Sequence, residues 1–233
     1  MSYLTMGYEN IITLGLAVLG FVIVLVAQIR INSAYAKTKA IESQKKLSGK
    51  EVVRMILDHN GLNDIYVIET QGTLTDHYDP NRQVIRLSTD IFHGTSLAAL
   101  SVAAHECGHA IQDKENYTMM RIRSALVPFV NLVSYLGYFA VIISLLAGIT
   151  GYLLVGIGIL LATILFQLVT LPVEFDASAR AKVQLQKLQI ISSNEEHDVE
   201  YMLGAAAMTY VASLVSSLLN LLRLILMFRS RDD

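Results

Sequence analysis

The sequence predicts an α-helical membrane protein with 3–4 transmembrane helices and a small cytosolic α+β unit. Three observations predict it. Of 233 residues, 53% are hydrophobic and only 16% are charged, against about 25% charged in an ordinary soluble domain. Three stretches carry no charged side chain at all: 10–29, 124–173 and 201–222. Between them lie two segments patterned as folded, water-facing chain, 30–123 and 174–200. The same composition excludes other classes. So much apolar side chain at a net charge of −2 is not a disordered chain, and without a basic excess no nucleic-acid partner is expected. A single cysteine, Cys107, rules out an internal disulfide.

The elements follow in order. A helix needs about 20 apolar residues to cross the hydrocarbon core, so 1–29 reads as an N-terminal transmembrane anchor. It is expected to stay uncleaved, because residues 1–9 contain no Lys or Arg and Arg30 follows the apolar run directly. The 50-residue run 124–173 is long enough for a transmembrane hairpin, with its turn expected at Ala147–Gly151. Segment 201–233 holds a fourth apolar run richer in Ser, Thr and Asn, which fits a membrane-surface helix nearly as well as a crossing.

Basic residues set the expected orientation. Arg30, Lys37, Lys39, Lys45 and Lys46, then Arg121 and Arg123, then Arg180, Lys182 and Lys187 all fall on one side, expected to be the cytoplasm. Arg223, Arg229 and Arg231 fit that scheme only if the last run does not cross. The expectation is a multi-pass protein of the cell membrane whose 30–123 and 174–200 segments face the cytoplasm.

Within 30–123, Ser48-Gly-Lys-Glu51 is a capping box opening a helix through Leu57, stopped near Asn60-Gly61. Three β-rich pieces follow, Ile65–Thr70, Gly72–Tyr78 and Gln83–Ser88, the last two joined as a hairpin by Asp79-Pro-Asn-Arg82. After Gly94 the apolar period changes to 3.6 and predicts a helix over 96–113.

That helix carries His105-Glu-Cys-Gly-His109, an HExxH motif. Side chains at i and i+4 share one helix face, so both imidazoles reach one zinc ion. Glu106, one residue on, is turned to act as general base on a water there. Cys107 points off that face and reads as a small packing residue. A catalytic zinc needs a third protein ligand, and Glu174 is the first choice. It directly follows the apolar run, and a membrane hairpin returns it to the side of His109. Asp176 points about 200° away from Glu174 on a helix, and Asp113, four residues after His109, would crowd three ligands onto one straight helix. Those two remain the alternatives.

The chain resembles a bacterial family of membrane-embedded neutral zinc metallopeptidases, the YugP type. The residues that carry the likeness are Asp76-His-Tyr-Asp-Pro80, Val84-Ile-Arg-Leu-Ser88, Phe92-His-Gly94, the stretch Val102–Gln112 around the motif, Leu168–Ala179 and Ala205–Ala212. The resemblance implies a zinc-dependent peptidase, with a zincin-like unit over 30–123. More distantly, the order of parts is similar to heat-shock-type membrane zinc proteases (gluzincins) and CAAX prenyl proteases, whose third ligand lies in an ExxAD sequence. Here Glu174-Phe-Asp-Ala177-Ser178 keeps Glu and Ala but has Ser in place of Asp. In those enzymes that Asp orients a zinc-binding imidazole. Ser178 is the natural substitute, with Asp76 or Asp79 as alternatives.

The function expected from these parts is hydrolysis of peptide bonds by zinc-activated water, with one Zn²⁺ per chain on His105, His109 and Glu174. Glu106 is the proton carrier. His93, Arg180 and Tyr210 are candidates to stabilise the oxyanion. The expected partners are the lipid bilayer and peptide or protein substrates, membrane proteins above all, as in membrane protein quality control. The strand 83–88 is expected to pair with an extended substrate. A silent membrane scaffold with a structural zinc is the rival reading, weakened by the intact Glu106. A transporter is weaker still, because no charged residue lies within the apolar runs.

Overall fold

The computed structural model describes residues 3–72, 75–146 and 152–232. Among them the order is α1 (Tyr3–Lys39), α2 (Gly49–His59), β1 (Tyr66–Thr70), β2 (His77–Asp79), β3 (Val84–Ser88), α3 (Thr89–Phe92), α4 (Leu97–Lys114), α5 (Thr118–Leu146), α6 (Tyr152–Lys187) and α7 (Glu196–Asp232). The expected turn at 147–151 lies outside the described residues, between α5 and α6.

Two compact units divide the chain. The first comprises Met1–Gln28, Ile122–Leu171 and Thr209–Asp233, the apolar parts of α1, α5, α6 and α7. Its helices meet where side chains are small. Gly20 of α1 faces Ser216 of α7, and Gly137 of α5 receives the Ile159 side chain of α6, the close approach that membrane helices use in place of a water-driven core. Large apolar side chains such as Ile11, Phe21, Leu136 and Leu161 are exposed. Among the described residues, three helices are long and apolar enough to cross a membrane: Ile11–Lys39, Leu154–Lys187 and Glu196–Arg229. The last of these contains the run whose crossing the sequence left open.

The second unit comprises Ile29–Arg121 and Pro172–Met208. Its core is built around α4, whose residues are buried on nearly every side. Val52, Ile56 and Leu57 of α2, Ile85 and Leu87 of β3, and Ala181 and Leu185 of α6 belong to one buried cluster with Leu97, Leu100 and Ala104 of α4. Local chemistry sets the ends of these helices. Ser48 caps α2 by accepting from the Glu51 N–H, while the Glu51 carboxylate accepts from the Ser48 N–H, the expected capping box. Past the end of α2, Gly61 takes φ +64°, a conformation glycine adopts without steric cost. Ser96 caps α4.

The three strands form one sheet in the order β1-β3-β2. β2 and β3 pair antiparallel, Asp79 opposite Val84, and the Asp79 carboxylate holds the turn by accepting from the N–H groups of Asn81 and Arg82. β1 pairs parallel to β3, Tyr66 opposite Val84. This corrects one expectation: β3 is bonded on both sides, so it offers no edge to a substrate. The edges among the described residues are β1 and β2. The second β-rich piece is also shorter than predicted, its described strand spanning only His77–Asp79.

Glu174 does not sit at a helix end. α6 runs through Pro172 to Lys187 without interruption, although proline removes one backbone hydrogen bond there.

Candidate metal centre

The site lies wholly in the second unit, between α4 and the part of α6 beyond Pro172. Gly108, inside the motif, lets the two helices touch. A Cβ at 108 would overlap the Ala177 carbonyl oxygen and lie 3.0 Å from its Cα. That approach sets Glu174 and Ser178, one turn apart on α6, against the two histidines. His105 Nε2 stands 3.2 Å from Glu174 Oε2, and His109 Nε2 stands 3.7 Å from the same oxygen. The rings lie edge to face, centroids 4.8 Å apart. His109 and Glu174 are buried, and His105 is partly open.

Two imidazole nitrogens and one carboxylate oxygen, all within 4.8 Å of one another, could hold a metal ion. The donor set suits zinc, which takes His nitrogen and carboxylate oxygen at about 2.0–2.2 Å in a tetrahedron, so that ligand atoms stand roughly 3.3 Å apart. The two histidine–carboxylate distances, 3.2 and 3.7 Å, lie near that separation, with all three donor atoms within 4.8 Å. His105, His109 and Glu174 therefore fit the ion expected from the sequence.

Glu106 is buried beside this cluster. Loss of water pushes its carboxyl up to about 7. The His105 charge works against that rise, and the charges of Glu174 and Asp76 add to it. The Tyr78 backbone N–H, near the same carboxyl, also works against the rise. Tyr78 belongs to β2, so the acid of the motif lies against the edge strand of the sheet. At its other end the Tyr78 hydroxyl donates to Asp113, 2.9 Å away.

The remaining sequence candidates fall in distinct places. Ser178 Oγ lies 3.2 Å from His105 Nδ1, where the expected substitute for the missing Asp should be. Asp76 accepts from the N–H and hydroxyl of Ser88, and burial pushes its carboxyl up against those bonds. Its carboxylate serves β3 and reaches Glu106 through charge. Arg180 is held by Asp176 at 2.5 Å and Glu115 at 2.6 Å. His93 is exposed and pairs with Glu69 at 3.2 Å. Tyr210 belongs to the first unit. The two alternative third ligands are engaged elsewhere: Asp113 with Tyr78, Asp176 with Arg180 and Gln112.

Gln112 does not stand out in the sequence. It lies one turn beyond His109, fully buried, with its amide between His109 and α6. Its position three residues after a ligand was the available signal.

Comparison with known proteins names the family. Residues 13–229 match the family described as "Putative neutral zinc metallopeptidase", and the chain belongs to that family. It is 44% identical over 209 residues to the "Putative membrane protease YugP" of Bacillus subtilis (strain 168), covering 89% of this chain and 92% of that protein. No solved structure matches.

Proposed function

We propose that the protein is a membrane-bound zinc-dependent endopeptidase with its active site facing the cytoplasm. One zinc ion per chain is held by His105, His109 and Glu174, and Glu106 moves the proton. The observation that carries the reading is the convergence of His105 Nε2, His109 Nε2 and Glu174 Oε2 beside a buried carboxyl.

When bound, zinc supplies a Lewis acid that polarises the scissile carbonyl and makes water a nucleophile near neutral pH. The rest belongs to the chain. Glu106 takes one proton from the attacking water on a carboxylate oxygen and gives it to the leaving amide nitrogen as the C–N bond breaks. Its buried carboxyl beside the metal ligands is placed to carry the proton in both directions. Ser178 steadies the His105 ring. An extended peptide lies along the outer side of β2, next to Glu106, in main-chain contacts that tolerate many sequences. Such tolerance suits unfolded membrane-protein segments, and so quality control. The cytoplasmic orientation is supported by the basic residues flanking the apolar runs.

The test is hydrolysis of an unfolded protein by the detergent-purified chain, with zinc added and with zinc chelated. Cleavage that needs zinc and is lost in Glu106→Gln supports the reading. Zinc retained with no cleavage of any unfolded substrate favours the scaffold instead.

A further inference from the structure

We propose that Gln112 is a positioning residue of the metal centre: it holds His109 in the form protonated at Nδ1, leaving Nε2 bare for the ion, and it ties the histidine helix to the Glu174 helix. The inference rests on the metal-site reading above and deepens it.

Gln112 is fully buried, and both ends of its amide are engaged. The amide nitrogen donates to Val173 O at 2.8 Å and to Asp176 Oδ2 at 2.8 Å. The amide oxygen faces His109 Nδ1 at 3.0 Å. The nitrogen and oxygen of an amide are nearly alike in shape, but here the partners decide between them. A backbone carbonyl can only accept, and so can a carboxylate already held by the Arg180 guanidinium at 2.5 Å. The amide nitrogen must therefore face Val173 and Asp176, and the oxygen must face His109. That oxygen carries no hydrogen, so the proton of the contact belongs to His109 Nδ1.

A neutral ring protonated at Nδ1 has a bare Nε2. In this site Nε2 looks toward Glu174 Oε2, 3.7 Å away. A nitrogen lone pair and a carboxylate repel unless a cation lies between them. Gln112 thus sets the polarity that a metal requires on the partner the ion needs. Its two other contacts, Val173 and Asp176, flank Glu174 on α6 and lie 61 and 64 residues after Gln112 in sequence. One side chain orients a ligand on α4 and fixes the backbone that presents the ligand on α6. The support continues outward, since Arg180 is itself braced by Glu115 at 2.6 Å.

The full-length chain in detergent, with ¹⁵N-labelled histidine and zinc removed, tests this by NMR at mildly alkaline pH, His109 being assigned from His109→Ala. Wild type is expected to show His109 protonated at Nδ1; protonation at Nε2 alone overturns the proposal. Zinc affinity is then measured by competition with a chromophoric chelator. Gln112→Leu should weaken it about 10–100-fold, the usual effect of removing a group that orients a metal ligand, and should release the ring form. Gln112→Glu keeps an oxygen for Nδ1–H but loses both donors, so it should keep the ring form with an intermediate affinity. A folded Gln112→Leu chain with wild-type zinc affinity overturns the role. If that variant does not fold, the wild-type ring form and the Gln112→Glu affinity decide. Wild type that binds no zinc, unaltered by His105→Ala, overturns the metal reading itself and this role with it. Zinc bound normally with Gln112 inert sinks the positioning role alone.

Discussion

Gly108 of α4 and Ala177 of α6 lie backbone to backbone, with no room between them for a Cβ. The contact is why a motif on one helix and an acid 65 positions after His109 can share an ion. Glycine inside a helix normally costs about 1 kcal/mol relative to alanine, so its place here reflects packing.

Gly108→Ala should therefore destabilise the protein despite its better helix propensity. Overpacking typically costs about 1–3 kcal/mol, and spreading α4 from α6 should weaken zinc binding as well. A Cβ added at Gly204, in α7, would meet nothing within 4 Å, so Gly204→Ala is the control and should be neutral or slightly stabilising. Thermal unfolding in detergent and chelator competition read both effects.

Glu106→Gln should reduce peptide hydrolysis by about 10²–10⁴-fold or more, the range for a general base, with zinc content unchanged. The fold should tolerate it, because burial already disfavours the charge. Stability has a sign. A carboxyl raised in the fold contributes most below its unfolded value and loses that contribution as pH rises through its folded value, about 7. In zinc-stripped protein, Glu106→Gln should thus gain on wild type as pH rises from about 4.5 to about 7, and the difference should level off above that. Unfolding midpoints across a pH series check it.

Glu174→Ala leaves two protein ligands and an extra open position, so zinc affinity should fall sharply and activity with it. An unchanged affinity would point back to Asp113 or Asp176, although both are engaged elsewhere. The measurement is zinc bound per chain after dialysis against graded chelator.

Cysteines placed at Lys45 and Lys187 should label from the same side of the membrane, expected to be the cytoplasmic one. Both positions are exposed, and the native thiol of Cys107 is buried and silent. Labelling from opposite sides in intact cells or oriented vesicles would sink the shared-side topology.

What was legible in the sequence was local. Capping at Ser48, the turn at Asp79–Arg82 and the pairing of His105 with His109 each depend on residues within one turn or one hairpin. Helix arithmetic also turned Asp176 away from Glu174, and the structure finds it on Gln112 instead. What stayed hidden depends on partners far along the chain. Gln112 reads as one polar residue of a helix until Val173 and Asp176 are beside it. Arg180 has the right chemistry for an oxyanion donor, but composition does not reveal that Asp176 and Glu115 hold it. The central position of β3 escaped for the same reason. Hairpin signals announce β2 with β3, whereas the parallel pairing with β1 has no turn to announce it.

Tyr78 gives the short strand β2 an unusual dependence. Its N–H lies near the Glu106 carboxyl and its hydroxyl donates to Asp113, so one residue of a three-residue strand borders both ends of the motif. Edge strands this short ordinarily fray as the lowest-cost local opening of a fold. Here fraying would also draw a backbone N–H away from the buried carboxyl. The opening of the sheet edge and the loss of the poised acid are then a single event, so a peptide that docks on the edge and holds it shut would also hold the acid ready.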